Sequence, residues 1–178
     1  MTSIRPFVLV VTGLPGTGKS TLSDAIARRF GAPSFQGDWL MGALAPARRV
    51  LHDLERSAYL DLYHSLLGSL IARQCLLGQS AVVDCLVPDD VLEEWGALAA
   101  EHGHRFRVVE CVLTDRALHR ARLEGRVRGI PGWHEVDWDH VVRMEHEFAP
   151  LTAERLVIDA LRPAEENVAV VVADLERD

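Results

Sequence analysis

Lysine is all but missing from this chain: 19 residues are Lys or Arg, and Lys19 is the sole lysine among them. The basic residues are themselves outnumbered by 26 acidic ones, for a net charge of −7. That balance opposes a protein whose main task is gripping a nucleic-acid backbone, work that calls for a basic surface. Long apolar runs are also missing. Stretches such as Phe7 to Val11 fall far short of the ~18–20 residues that cross a bilayer, and the N-terminus lacks a basic region followed by an apolar core and a cleavage site. A cytoplasmic protein without membrane contact is expected. Cysteine is scarce: Cys75, Cys85 and Cys111 are odd in number, far apart and set in apolar runs, which fits buried reduced thiols better than disulfides or a zinc site. No repeat, low-complexity tract or Pro/Gly/Ser-rich linker divides the 178 residues. One domain over 1–178 follows, a length at which a single core needs no staple, with a monomer or homodimer as the expected assembly.

What is present is an alternation of strand and helix periods. Phe7 to Thr12 is a β-branched run ending in a glycine-rich turn, and Leu22, Ala25 and Ile26 then mark a helical face closed by Gly31. Tyr59, Leu62, Tyr63, Leu66, Leu67, Leu70 and Ile71 recur at helical spacing within a long helix expected from about Leu54 to Leu77. Ala81 to Cys85 reads as a buried strand. Pro88 at a first helical position, Asp89 and Asp90 beside it, and the stripe Val91, Leu92, Trp95, Leu98, Ala99 give another helix, stopped at Gly103. Phe106 to Leu113 returns to strand, and Thr114 is placed to cap a helix running through Leu118 and Ala121 towards Arg126. Val127 to Asp137, with two glycines and a proline, reads as a mobile loop. Leu156 to Ile158 is a last short strand, and Ala164 to Leu175 a closing helix. Strands flanked by helices imply an α/β protein with a parallel sheet covered on both faces, its chemistry at the strand ends.

Gly13-Leu14-Pro15-Gly16-Thr17-Gly18-Lys19-Ser20-Thr21 matches the phosphate-loop pattern of Gly, four residues, Gly, Lys, Ser/Thr, and it lies between a strand and a helix as that pattern requires. Successive backbone N–H groups and the positive end of the helix converge there on phosphate oxygens. Lys19 supplies a mobile charge to a transferring phosphoryl group and Ser20 a hydroxyl to Mg²⁺. Nucleotide binding is expected of Gly13, Leu14, Pro15, Gly16, Thr17, Gly18, Lys19, Ser20 and Thr21, with ATP and Mg²⁺ as cofactors.

From this loop onward the chain resembles the small phosphate-loop kinases of the chloramphenicol phosphotransferase, gluconate kinase and polynucleotide kinase group. The resemblance rests on the loop, on Gly37-Asp38, on Val83-Asp84 at a strand end, on Arg122-Leu123-Glu124-Gly125-Arg126, and on Leu156 to Ala160 followed by Arg162 to Glu166. It implies a three-layer P-loop NTPase fold with a five-stranded parallel sheet and a small Arg-rich lid over approximately 120–140. It also implies that the stretch from Asp159 to Ala164 passes near the adenine.

Transfer of a phosphoryl group to an alcohol requires a carboxylate to orient and deprotonate the hydroxyl. Asp38, one helix and one short strand after the loop, is the candidate, and by resemblance its counterpart contacts the acceptor; a helix-capping Asp is the plainer alternative. Related kinases carry an Arg shortly afterwards, where this chain has Met41, Gly42 and Ala43, which disfavours a polynucleotide acceptor. Asp84 is placed to hold Mg²⁺ together with Ser20, or else to contact the acceptor or cap a turn. Trp39, Trp133 and Trp138 are candidates for an acceptor pocket or for core packing. Seven arginines fall between Arg105 and Arg128. Arg122 and Arg126, four apart, are expected on one helical face, with guanidiniums suited to the spread charge of a transferring phosphoryl group. Arg116, Arg120 and Arg128 read as solvent-facing or ion-paired, and His134, His140 and His146 as surface residues. The function expected is a kinase with Lys19, Asp38, Arg122 and Arg126 as catalytic residues, Ser20 and Asp84 on the metal, and a small-molecule hydroxyl acceptor. A polynucleotide end kinase and a regulatory ATPase switch are the alternatives.

Overall fold

A computed structural model describes residues 4–177; residues 1–3 and 178, the ends of the domain expected over 1–178, lie outside the described residues. The chain runs β1 (Phe7–Thr12), α1 (Lys19–Phe30), β2 (Ser34–Gln36), α2 (Gly37–Ala43), a 3₁₀ turn (Ala45–Ala47), α3 (Arg48–His52) and α4 (Arg56–Leu76). It continues through β3 (Ala81–Asp84), α5 (Asp89–Glu101), β4 (Arg105–Val112), α6 (Arg116–Glu124), α7 (Trp138–Glu147), β5 (Leu156–Asp159) and α8 (Ala164–Glu176). The five strands form one sheet in the order β2-β3-β1-β4-β5, and every adjacent pair is parallel.

All six residues of β1 are buried, as a strand covered on both faces requires. Its period of two divides the core. Phe7, Leu9 and Val11 pack with Leu22 and Ile26 of α1 and Val171 and Leu175 of α8. Val8 and Val10 point the other way, onto Leu67 and Ile71 of α4 and Leu92 and Trp95 of α5. Each such side chain, fully buried, contributes about 1.5–3 kcal/mol. The cysteines are buried and unpaired, and burial pushes the Cys111 thiol up to about 12.

The expected strands and the closing helix are present, but several local signals resolve differently. Pro88 is the N-cap of α5 rather than its first residue. Asp115, not Thr114, caps α6 by accepting the Leu118 N–H at 2.9 Å. Thr114 instead donates to Asp159 at 2.7 Å. α6 stops at Glu124 with Gly125 as its C-cap, so Arg126 lies beyond it and does not share a helical face with Arg122. The segment after it is irregular but held: Glu135 Oε1 accepts from the Arg128 and Gly129 amides at 2.7 and 3.2 Å, and Ile130 is buried. α3 has no signal in the sequence, whereas α2 corresponds to the helix that the capping alternative at Asp38 requires and α7 to a helix surface bearing His140 and His146.

Candidate active site

The loop after β1 turns through Gly13, Gly16 and Gly18, whose φ values of 126°, 91° and 87° lie in the region that favours glycine. At Gly13 a Cβ would also stand 2.1 Å from the Cys111 carbonyl oxygen, so the loop folds tightly against β4. Lys19 Nζ donates to the Leu14 carbonyl at 3.0 Å, and Thr17 Oγ1 donates to the same oxygen at 2.8 Å. The ammonium thus lies folded back along its own loop.

β3 lies beside β1, with Val11 in register with Asp84, which carries the Asp84 carboxylate to the loop. Ser20 Oγ donates to Asp84 Oδ2 at 2.6 Å. Burial pushes the Asp84 carboxyl above its ordinary value, while the Lys19 ammonium and the Ser20 hydroxyl pull it back. The paired donor set is a hydroxyl and a carboxylate, the hard oxygens that Mg²⁺ takes alongside phosphate and water. No group of three or more His, Cys, Asp or Glu among the described residues is arranged to hold a metal by itself. Ser20 and Asp84 therefore suit an ion that arrives with a nucleotide.

Asp38 is in the first turn of α2, where Gln36 occupies the N-cap position, so the capping alternative does not apply. Its carboxylate is hydrogen-bonded to Arg128 NH1. The Arg128 side chain, expected in solvent or in an ion pair, is paired, but with the candidate base and inside the site. Gly37, just before Asp38, lies against Tyr63 of α4: a Cβ there would fall 1.9 Å from the phenol oxygen. Burial raises the Tyr63 phenol well above its ordinary value.

These groups line one cavity of about 620 Å³, whose walls include Gly13, Lys19, Ser20, Asp38, Asp84 and Arg128. Arg122 and Arg126 both reach this cavity despite the end of α6 between them. Arg122 donates to the Ala160 carbonyl at 3.0 Å. Arg126 has Nε and NH2 buried without a partner among the described residues, and burial together with Arg128 lowers its basicity. Arg116 and Arg120 make exposed ion pairs with Glu145 and Glu124 at 2.9 and 2.7 Å, as the sequence suggested.

Away from the loop the same cavity is walled by Tyr59, Tyr63, Trp133, Met144 and Phe148, with His134 and His140. The two histidines thus face the site rather than plain surface. Of the candidate tryptophans only Trp133 lines it; Trp39 is 52% exposed, and Trp138 packs edge-on against His119. A second cavity, about 530 Å³, lies along Gly18, Thr21, Ala160, Arg162 and Asn167, and Arg122 borders both. In the sequence Tyr63 reads as helix packing, Arg128 as a solvent-facing or ion-paired residue and His119 carries no signal; long-range packing brings all three against the site.

A sequence profile described as an AAA domain matches residues 8–151. A curated relative from Methanocaldococcus jannaschii, named 2-phosphoglycerate kinase, is 28% identical across 93% of this chain. The chain spans 60% of that relative's length. Among solved structures, a gluconokinase from Sinorhizobium meliloti 1021 aligns with a TM-score of 0.69 at 20% identity, covering 97% of this chain and 93% of the other. The Mycobacterium tuberculosis APS kinase CysC in complex with AMPPNP and APS aligns at 0.67 and 19% identity, covering 98% and 100%. These likenesses bear out the α/β fold of small P-loop kinases.

Proposed function

The chain belongs to this AAA domain family, and from that membership we propose that it is a kinase transferring the γ-phosphoryl group of ATP to a hydroxyl of a small molecule. One observation carries the reading. The phosphate loop with Lys19, the Ser20–Asp84 pair and the Asp38 carboxylate all border a single cavity, so a phosphate donor, its charge-neutralising groups and a proton acceptor share one space.

The roles follow from that arrangement. Backbone amides of Gly13 to Thr21 bind the phosphates, and Lys19 leaves the Leu14 carbonyl to meet their charge. Ser20 and Asp84 would hold Mg²⁺ arriving with the nucleotide, and the ion would supply neutralisation of phosphate charge. The second cavity, beside Ala160 and Arg162, receives the nucleoside. Asp38 accepts the acceptor's proton while the hydroxyl oxygen bonds to the γ-phosphorus and the bond to the bridging oxygen breaks, releasing ADP. Arg128 holds the Asp38 carboxylate in place. Arg122 and Arg126 meet the charge on the transferring group, and the unpartnered guanidinium of Arg126 suits an anion. The aromatic and apolar wall from Tyr59 to Phe148 covers the rest of the acceptor and excludes water.

The test is coupled ADP release across a panel of hydroxylated metabolites, including sugar acids, phosphorylated hydroxy acids, nucleosides and antibiotics, with a single-stranded oligonucleotide as a further arm. Release stimulated by a small hydroxyl compound and lost in Asp38→Asn is expected. Stimulation by the oligonucleotide alone, or steady hydrolysis indifferent to both acceptor and Asp38→Asn, contradicts the reading.

A further inference from the structure

His119 touches the phosphate loop without belonging to it. Its side chain, on α6, is 4% exposed, and its Nε2 lies 2.7 Å from the carbonyl oxygen of Pro15. A carbonyl only accepts, so Nε2 carries the proton and donates. The ring also covers Gly16: a Cβ there would stand 3.1 Å from His119 Cδ2 and 3.2 Å from Nε2. Trp138 closes the other side edge-on, ring centroids 5.1 Å apart.

The consequence is stereochemical. The Pro15 carbonyl and the Gly16 N–H belong to one peptide unit, and in a trans unit they point in opposite directions; the chain has no cis peptide among the described residues. Holding the carbonyl towards α6 turns the Gly16 N–H away from it. Gly16 borders the main cavity, and its N–H makes no hydrogen bond to any described residue. With φ at 91° and no Cβ, Gly16 offers little steric resistance to rotation of this peptide, so some other contact must select its orientation. We infer that His119 is a positioning residue that fixes the Pro15–Gly16 peptide so that the Gly16 N–H faces bound phosphate. The inference rests on the phosphate-binding part of the proposed function. Arg122, three residues on along the same helix, donates to the Ala160 carbonyl, so α6 fastens the phosphate loop and the β5–α8 loop together.

Binding of tripolyphosphate and of MgADP to the full chain, measured by calorimetry without acceptor, tests this directly. His119→Ala is expected to bind tripolyphosphate about tenfold more weakly, the scale of one hydrogen bond to a charged group. His119→Gln, whose amide nitrogen reaches the Nε2 position, is expected to restore most of that affinity while losing the same Trp138 packing and thermal stability as the alanine variant. If His119→Ala does not fold, His119→Phe keeps a ring there without the donor and is expected to show the same weakening. Unchanged phosphate affinity in a folded donor-less variant, or a glutamine variant as weak as alanine, overturns the inference and leaves the kinase reading standing. A wild-type chain that binds neither probe overturns both.

Discussion

Ser20 and Asp84, 64 residues apart in sequence, are joined by a 2.6 Å hydrogen bond at the mouth of the phosphate loop. The carboxylate is 6% exposed, and burial is the largest influence on it, ahead of Lys19, so its pKa is raised. A group placed this way serves the site at a cost to the fold.

Asp84→Asn is therefore expected to stabilise the protein near neutral pH while removing activity. A carboxyl whose folded pKa is raised binds its proton more tightly in the folded state, so its effect on stability is most favourable below the unfolded value of about 4. That benefit is lost as pH rises through the folded value. Asparagine does not ionise. Thermal melts should thus agree at low pH and separate in favour of Asp84→Asn above the folded pKa, with turnover down at least about 100-fold. A variant less stable than wild type at neutral pH would place the Lys19 attraction above the burial cost.

Lys19→Arg should abolish phosphoryl transfer and leave the fold in place. The ammonium folds back onto the Leu14 carbonyl at 3.0 Å, a path open to a single flexible point charge and closed to a planar fork. The expected loss in kcat is about 100-fold or more, with unfolding free energy within about 1 kcal/mol of wild type. A fully active arginine variant would show that any cation in the loop suffices.

Asp38 and Arg128 should behave as one unit. Asp38→Asn is expected to lower kcat by about 10²- to 10⁴-fold, the range for a lost general base. Arg128→Ala should lower it less, through a carboxylate no longer held in place. The double variant should be no worse than Asp38→Asn alone within about twofold, because the partner's role is gone. Losses that multiply in a steady-state double-mutant cycle would separate the two residues.

Gly37→Ala should destabilise the protein by about 1–3 kcal/mol, the cost of forcing extra volume into a packed site. The added Cβ would meet the Tyr63 phenol oxygen at 1.9 Å, and Tyr63 is a wall of the cavity. Urea unfolding should move its midpoint at unchanged slope, and turnover should fall with it because Asp38 is the next residue.

The phosphate loop, four of the five strands and the long helices are legible because their signals are local: a motif with fixed spacing, β-branched runs, apolar stripes closed by glycine. β2, Ser34-Phe35-Gln36, carries no such run, and the five-stranded count follows from the family resemblance. The end of α6 is not legible, since Arg122 to Arg126 continues a helical spacing that Gly125 interrupts as a C-cap. Its start is ambiguous in sequence because two neighbours, Thr114 and Asp115, both suit an N-cap, and a distant strand-end carboxylate, Asp159, engages the threonine. Arg128 and His119 were hidden for a different reason. Their partners, Asp38 and Pro15, lie 90 and 104 residues away, and only the sheet order and the return of the α6–α7 segment over the loop bring them together.

Transfer of labelled phosphate tests the central claim most directly. ATP carrying heavy oxygen in its γ-phosphoryl group is incubated with the protein and the acceptor that most stimulates ADP release, and the products are resolved by mass spectrometry. The expected result is an acceptor phosphorylated with the labelled group by the wild-type protein and not by Asp38→Asn or Lys19→Arg. Label recovered only in inorganic phosphate, at a rate unchanged by the acceptor, would contradict it.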